Sequence, residues 1–180
     1  MKKIVLLSVV LCLLALPLMG LAGQVDLGRL VMSVPASLDV FTRGMRPDDP
    51  LLAIYATTAD QVAEDLSSQG LLMKAREISG AFTVTLSSRS QDGPDFSSLA
   101  DDALLAQADE LNSGQLDTTP LLRSRQAAFL LLRGGSSLTA LTRVNGSLYR
   151  LALKAEGQLT GSMADTLRQL AQSMDFGRGQ

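Results

Sequence analysis

Histidine and tryptophan are absent from these 180 residues, and cysteine occurs once, at Cys12. Each absence removes chemistry. Without histidine there is no Ser-His or Cys-His nucleophile, and the commonest general base and the usual zinc and copper ligands are gone. Cys12 lies within the first 22 residues, so the remainder has neither a disulfide nor a thiolate metal site. The calcium loop D-x-[DN]-x-[DN]-G, the nucleophile elbow G-x-S-x-G, S-x-x-K and the phosphate loop G-x-x-x-x-G-K-[ST] are also missing. What remains open is carboxylate chemistry, Ser-Lys chemistry or oxygen-ligated calcium. No catalytic residue and no cofactor is implied.

What is present begins with an address. Lys2 and Lys3 precede an apolar run from Ile4 to Leu16, followed by Pro17, Gly20 and the small-residue exit Gly20-Leu21-Ala22. A basic start, an apolar stretch and a small-x-small end form a secretory signal peptide, with cleavage expected between Ala22 and Gly23. As a helix, Ile4 to Ala22 would span roughly 28 Å, so an uncleaved amino-terminal anchor is the alternative. Pro17 and Gly20 break that helix and favour cleavage. Cys12 sits mid-run, where lipoprotein processing cannot use it. In either case the positive end stays in the cytosol and the domain is exported, secreted or cell-surface.

The leader contributes two lysines and no acid, so the net charge of −2 becomes about −4 without it. A mildly acidic surface with scattered arginines is a poor match for nucleic acid, and it offers nothing to an anionic membrane. Contact with a membrane is expected only through an uncleaved leader. The remaining chain is long enough to fold on a core alone, as one domain over 23–176, with 177–180 a loose tail.

Local signals divide the chain cleanly. Val25 to Val34 reads as a strand stopped by Pro35, Leu38 to Thr42 as a second, and 43–57 as a loop around Pro47, Asp48, Asp49 and Pro50. Thr58-Ala59-Asp60-Gln61 is a capping box opening a helix over 59–69 that stops at Gly70. Leu71 to Glu77 leads into a strand in which Phe82, Val84 and Leu86 alternate with hydroxyl residues. The turn Gln91-Asp92-Gly93-Pro94 follows. Ser98 is placed to cap a helix over 99–112, with Leu104, Ala108 and Leu111 inward.

The last third is the most legible. Leu121 to Arg125 and Ala127 to Arg133 read as strands, and Ala128 to Leu132 is apolar on both faces, as in a sheet covered on both sides. Leu138 to Val144 and Ser147 to Ala155 flank Asn145-Gly146, a two-residue hairpin turn. That turn pairs Val144 with Ser147, Thr142 with Tyr149, Ala140 with Leu151 and Leu138 with Leu153. One face is then nearly all apolar, while the other mixes Leu141, Arg143, Arg150 and Lys154. A last helix over 161–174 carries Met163, Leu167, Leu170 and Met174 on one stripe. The expected class is α+β, an α/β/α sandwich: a central, mainly antiparallel sheet of about six or seven strands with three helices packed on its faces.

Candidate binding residues are few. Arg43, Arg46, Asp48 and Asp49 lie in the 43–57 loop, where the acids would serve a cation or a basic partner, or simply form turns. Arg123, Arg125, Arg143 and Arg150 would make a basic face of the sheet for an anionic ligand, or snorkel at its margin. Asp101 and Asp102, with Asp95 nearby, are either a carboxylate pair or complements to a helix N-terminus. No metal site is implied.

The order of elements resembles the PsbP-like (PsbP/DcrB-type) family. The matching pieces are Val31-Met32-Ser33-Val34-Pro35, the helix begun by Ser98-Leu99-Ala100, the Ala127 to Leu132 strand, Thr142 to Leu151, and Ser173-Met174-Asp175-Phe176. Val40-Phe41-Thr42-Arg43-Gly44-Met45 followed by Asp48-Asp49-Pro50 is similar to small exported proteins of Gram-positive bacteria. The resemblance implies a non-enzymatic binding or assembly module; with the leader, the expectation is an exported module of the cell envelope, a monomer with a protein or envelope partner. It carries over no catalytic residue, and the metal-binding histidine of plant members has no counterpart here. The alternative is a cell-surface hydrolase or transferase working through paired carboxylates, two acids converging in one pocket.

Overall fold

The computed structural model describes residues 23–111 and 115–177. The leader, its expected cleavage site at Ala22, and Cys12 lie outside the described residues. The chain begins with a small hairpin, β1 (Gly23–Asp26) and β2 (Val31–Val34), paired antiparallel. One continuous strand over 25–34 was expected. The chain turns instead because Asp26 accepts the Gly28 amide at 2.8 Å and Gly28 takes a φ of +83°, open to glycine at little cost.

Seven further strands make one sheet: β3 (Leu38–Thr42), β4 (Leu71–Glu77), β5 (Phe82–Ser90), β6 (Gln115–Arg123), β7 (Ala128–Gly134), β8 (Ser137–Val144) and β9 (Ser147–Ala155). Their spatial order is β3-β4-β5-β9-β8-β7-β6, every neighbouring pair antiparallel. Two meanders, β3-β4-β5 and β6 to β9, therefore meet at one seam. There β5 and β9 pair without a break from Phe82–Ala155 to Ser90–Ser147. The hairpin register anticipated around Asn145-Gly146 is the one found, with both turn residues at positive φ. Strand β6 starts earlier than Leu121. A register irregularity between Leu116 and Leu121 absorbs Pro120, which cannot donate to a ladder, on an edge strand.

Among the described residues four helices complete the fold: α1 (Pro50–Ile54), α2 (Ala59–Ser68), α3 (Asp101–Glu110) and α4 (Gly161–Ser173). Three were expected. The fourth, α1, falls in the segment read as loop: Asp49 caps it by accepting the Leu51 amide at 2.9 Å, and Pro50 enters its first turn. The capping box of α2 forms as expected, with Thr58 Oγ1 accepting from the Gln61 amide and Gln61 Oε1 accepting from the Thr58 amide. Helix α3 starts at Asp101 rather than 99. Ser98 donates its hydroxyl to the Asp95 carbonyl at 2.7 Å and closes a short 3₁₀ turn, Phe96–Ser98, instead of capping.

Period-two alternation in the strands sends two sets of side chains to opposite faces. One face holds Met73, Val84, Leu86, Leu131, Leu138, Leu151 and Leu153, covered by Leu167, Leu170 and Ala171 of α4 and by Met32 and Val34 of the small hairpin. Backbone bonds between Val31 and Asp175, at 2.9 and 2.7 Å, fasten that hairpin to the end of α4. The opposite face is capped in two places. At one end Leu104 and Ala108 of α3, with Phe96, cover Ala128, Leu130, Leu132, Leu141 and Leu148. At the other, Val62 and Leu66 of α2 pack on Leu71 and Phe41.

Candidate functional site

Between those two caps the sheet face has no helix over it among the described residues. Cross-strand pairing lays out its floor in rows. Arg76, Thr83, Lys154 and Ser137 form one, Lys74, Thr85, Ala152 and Thr139 the next, and Ser87, Arg150 and Leu141 a third. A chain of cavities follows these rows. The largest, about 570 Å³, lies beneath α2 and reaches Thr83. A second of about 360 Å³ runs from Thr83 and Thr85 across Lys154 and Arg150 to Thr139. A third of about 380 Å³ continues from Arg150 past Ser87 and Arg89 to Leu148. Shared residues make this one groove crossing the strands from β4 to β7, on the order of 19 Å at the usual interstrand spacing.

The groove's charge differs from that of the chain. Lys74, Arg76, Arg89, Arg150 and Lys154 line it, against two carboxylates, Asp65 and Glu156. Most of these cations have identifiable partners. Lys74 lies 3.6 Å from Asp65, and Arg76 sits over the Tyr55 ring at 5.9 Å. Arg89 donates to Gln91 at 3.1 Å. The side chains of Arg150 and Lys154 are exposed and bond to no described residue. At the α2 end, Phe41 and Tyr55 meet edge to face at 5.1 Å, both half-buried. The Tyr55 hydroxyl donates to Asp39 at 2.7 Å, which raises the phenol pKa because ionisation would set two anions side by side.

The sequence-derived candidates are dispersed. Arg46 and Asp48 pair with each other at 2.8 Å in water, Asp49 caps α1, and Arg43 is exposed. The four arginines proposed as one face do not assemble. Arg123 bonds Asp101 at 2.7 Å and the Leu99 carbonyl at 2.9 Å, while Arg125 lies in the β6–β7 turn. Arg143 is buried at 4 % exposure, donating to Gln107 at 3.2 Å and lying over the Phe96 ring at 5.1 Å. Only Arg150 reaches the groove. Asp101 and Asp102 sit in the first turn of α3, and Asp95 accepts the Asn145 amide at 2.9 Å, so these acids form no pocket pair. Lys74, Arg76, Thr83, Thr85, Ser87 and Thr139 were not anticipated as neighbours. The signal was visible in the hydroxyls alternating with Phe82, Val84 and Leu86, but only the β5–β9 pairing brings Arg150 and Lys154 to them.

Fold and surface together define a class: an α+β domain with a seven-stranded antiparallel sheet that carries hydroxyls and cations on a strip left uncapped among the described residues. Among solved structures it is similar to the cyanobacterial PsbP (CyanoP) of Synechocystis sp. PCC 6803. The TM-score is 0.40 with 12 % sequence identity, over 83 % of this chain and 87 % of that chain. No family model matches the chain, and no curated protein matches it in sequence.

Proposed function

We propose that this protein is an exported, non-catalytic binding module of the cell envelope, and that the cross-sheet groove is its contact surface. The observation that carries this reading is the pair Arg150 and Lys154, two cations held on a rigid central strand yet bonded to no described residue. Their donors are open to an outside group, whereas those of Arg123 are engaged by Asp101 and the Leu99 carbonyl. The leader pattern supports export. The 43–57 segment is the competing docking surface, and it carries Ile54 at 71 % exposure as well as the exposed Arg43 and the half-buried or exposed residues around it.

A photo-crosslinking residue placed at Ser87, in the groove, and separately at Ile54, in the loop, decides between them in living cells. Adducts from Ser87 support the groove. Adducts from Ile54 alone would move docking to the loop and sink this assignment.

The hydrolase reading draws on one observation: Asp65 and Glu156, from distant segments, line the same cavity. Asp65 is already engaged, accepting from Gln69 at 2.6 Å beside Lys74. Turnover in a broad hydrolase screen that Glu156→Gln abolishes would overturn the non-catalytic assignment.

A further inference from the structure

Resting on the reading of the groove as a binding surface, we propose that its ligand is a linear acidic glycan, a sugar chain bearing carboxylate or phosphate groups. Three features lead there. The first is the spacing of charge. Arg89 and Arg150 lie diagonally across β5 and β9 and line one cavity, so both can grip one acidic group. Lys154, four residues along the strand, is about 13 Å from Arg150, and Arg76 shares its row two strands away, at about 10 Å. A small anion would be held by cations converging on a point. These instead form two seats, suited to acidic groups spaced along a chain.

The second feature is what lies between the seats. Thr83, Thr85 and Ser87 present half-buried hydroxyls, each able to donate and accept. Beside them are Thr139, buried at 7 % exposure, and Ser137, whose hydroxyl donates to the Gly134 carbonyl at 3.3 Å; there is no carboxylate in that interval. That lining suits a polyol better than an apolar helix, which would need hydrophobic anchors, or an added strand, which would need a sheet edge rather than a face. The third is the aromatic pair Phe41 and Tyr55 at the α2 end, beside Thr57 and Gln61. Half-buried ring surface next to polar groups offers the apolar face of a sugar a place to rest.

The test is calorimetric titration of the full-length chain with hexagalacturonate. Maltohexaose serves as the uncharged sugar, polyphosphate as the charged chain without sugar, and poly-glutamate as the acidic peptide. Hexagalacturonate is expected to bind, with Arg150→Gln and Lys154→Gln each weakening it about tenfold, the loss of one charge-assisted hydrogen bond. Thr85→Val, which keeps shape and removes the hydroxyl, should weaken it as well. Circular dichroism must show all three variants folded as the parent. Equal binding of polyphosphate or poly-glutamate, indifferent to Thr85→Val, would overturn the glycan assignment and leave a general polyanion seat. Failure of every probe would overturn it too, while the Ser87 crosslink judges the groove independently.

Discussion

Gly93 and Arg143 should be energetically coupled. Gly93 holds φ at +136°, and a Cβ built there would stand 2.1 Å from Arg143 Nη1 and 2.9 Å from Cζ. Arg143 has little freedom to yield, since it is buried, lies 5.1 Å above the Phe96 ring and donates to the Pro94 and Gln107 oxygens. Gly93→Ala therefore meets two separable costs. The backbone must leave a conformation open to glycine, about 1–3 kcal/mol. The guanidinium must vacate its seat, losing a desolvated cation–π contact of about 2 kcal/mol. The sum, about 3–5 kcal/mol, is a large share of a typical domain's stability. Arg143→Met removes the clashing group, so in that background Gly93→Ala should cost only the backbone part. A coupling of about 2 kcal/mol is expected from urea midpoints across the four-member cycle, at unchanged m. Additivity within about 0.5 kcal/mol would refute the idea that this glycine makes room for this arginine.

Other expectations follow from single contacts. Asp117, buried on the edge strand β6, holds Arg168 of α4 at 3.0 Å and Arg133 of β7 at 3.5 Å. Asp117→Ala should cost about 2 kcal/mol, less than for a wholly buried pair because both arginines can rehydrate, and an unchanged melting temperature would discount the clamp. Ala56 follows α1 at a φ of +49°, so Ala56→Gly should stabilise by about 1 kcal/mol in urea unfolding; destabilisation would show that no strain is stored there. Glu77 has its pKa lowered, first by the Ser79 hydroxyl and then, against a desolvation that raises it, by the Ala81, Ser79 and Gly80 amides. Its contribution is then present above the unfolded carboxylate value and lost as pH falls through the lower folded one. Glu77→Gln should be less stable than the parent at pH 7 and converge with it in acid; a gap independent of pH contradicts this.

The sequence displayed its local geometry and hid its pairings. The Thr58 capping box, the Asn145-Gly146 hairpin with its register and the α4 stripe are determined by residues within a few positions of one another, and all appear where expected. The misreadings are also local. Asp26 and Gly28 cut a run of apolar residues, Ser98 bonded backward to Asp95, and Asp49-Pro50 opened a helix inside a polar loop. The groove was illegible for a different reason. Its hydroxyls lie on β5 and β8 and its free cations on β9, and nothing in β5 names the strand some sixty residues on that pairs with it. Arg143 and Arg150 look alike in the sequence, and only α3 closing over the first separates a buried support from an exposed hand.

The β5–β9 seam has a consequence in time. Each meander closes through neighbours in sequence, which is fast, whereas joining Phe82–Ser90 to Ser147–Ala155 closes a long loop and belongs late in folding. The groove's floor straddles that junction, so it does not exist in either half alone. A ligand spanning Thr85 and Arg150 would act as a clasp, adding its binding free energy to the last step of assembly and slowing the first step of opening.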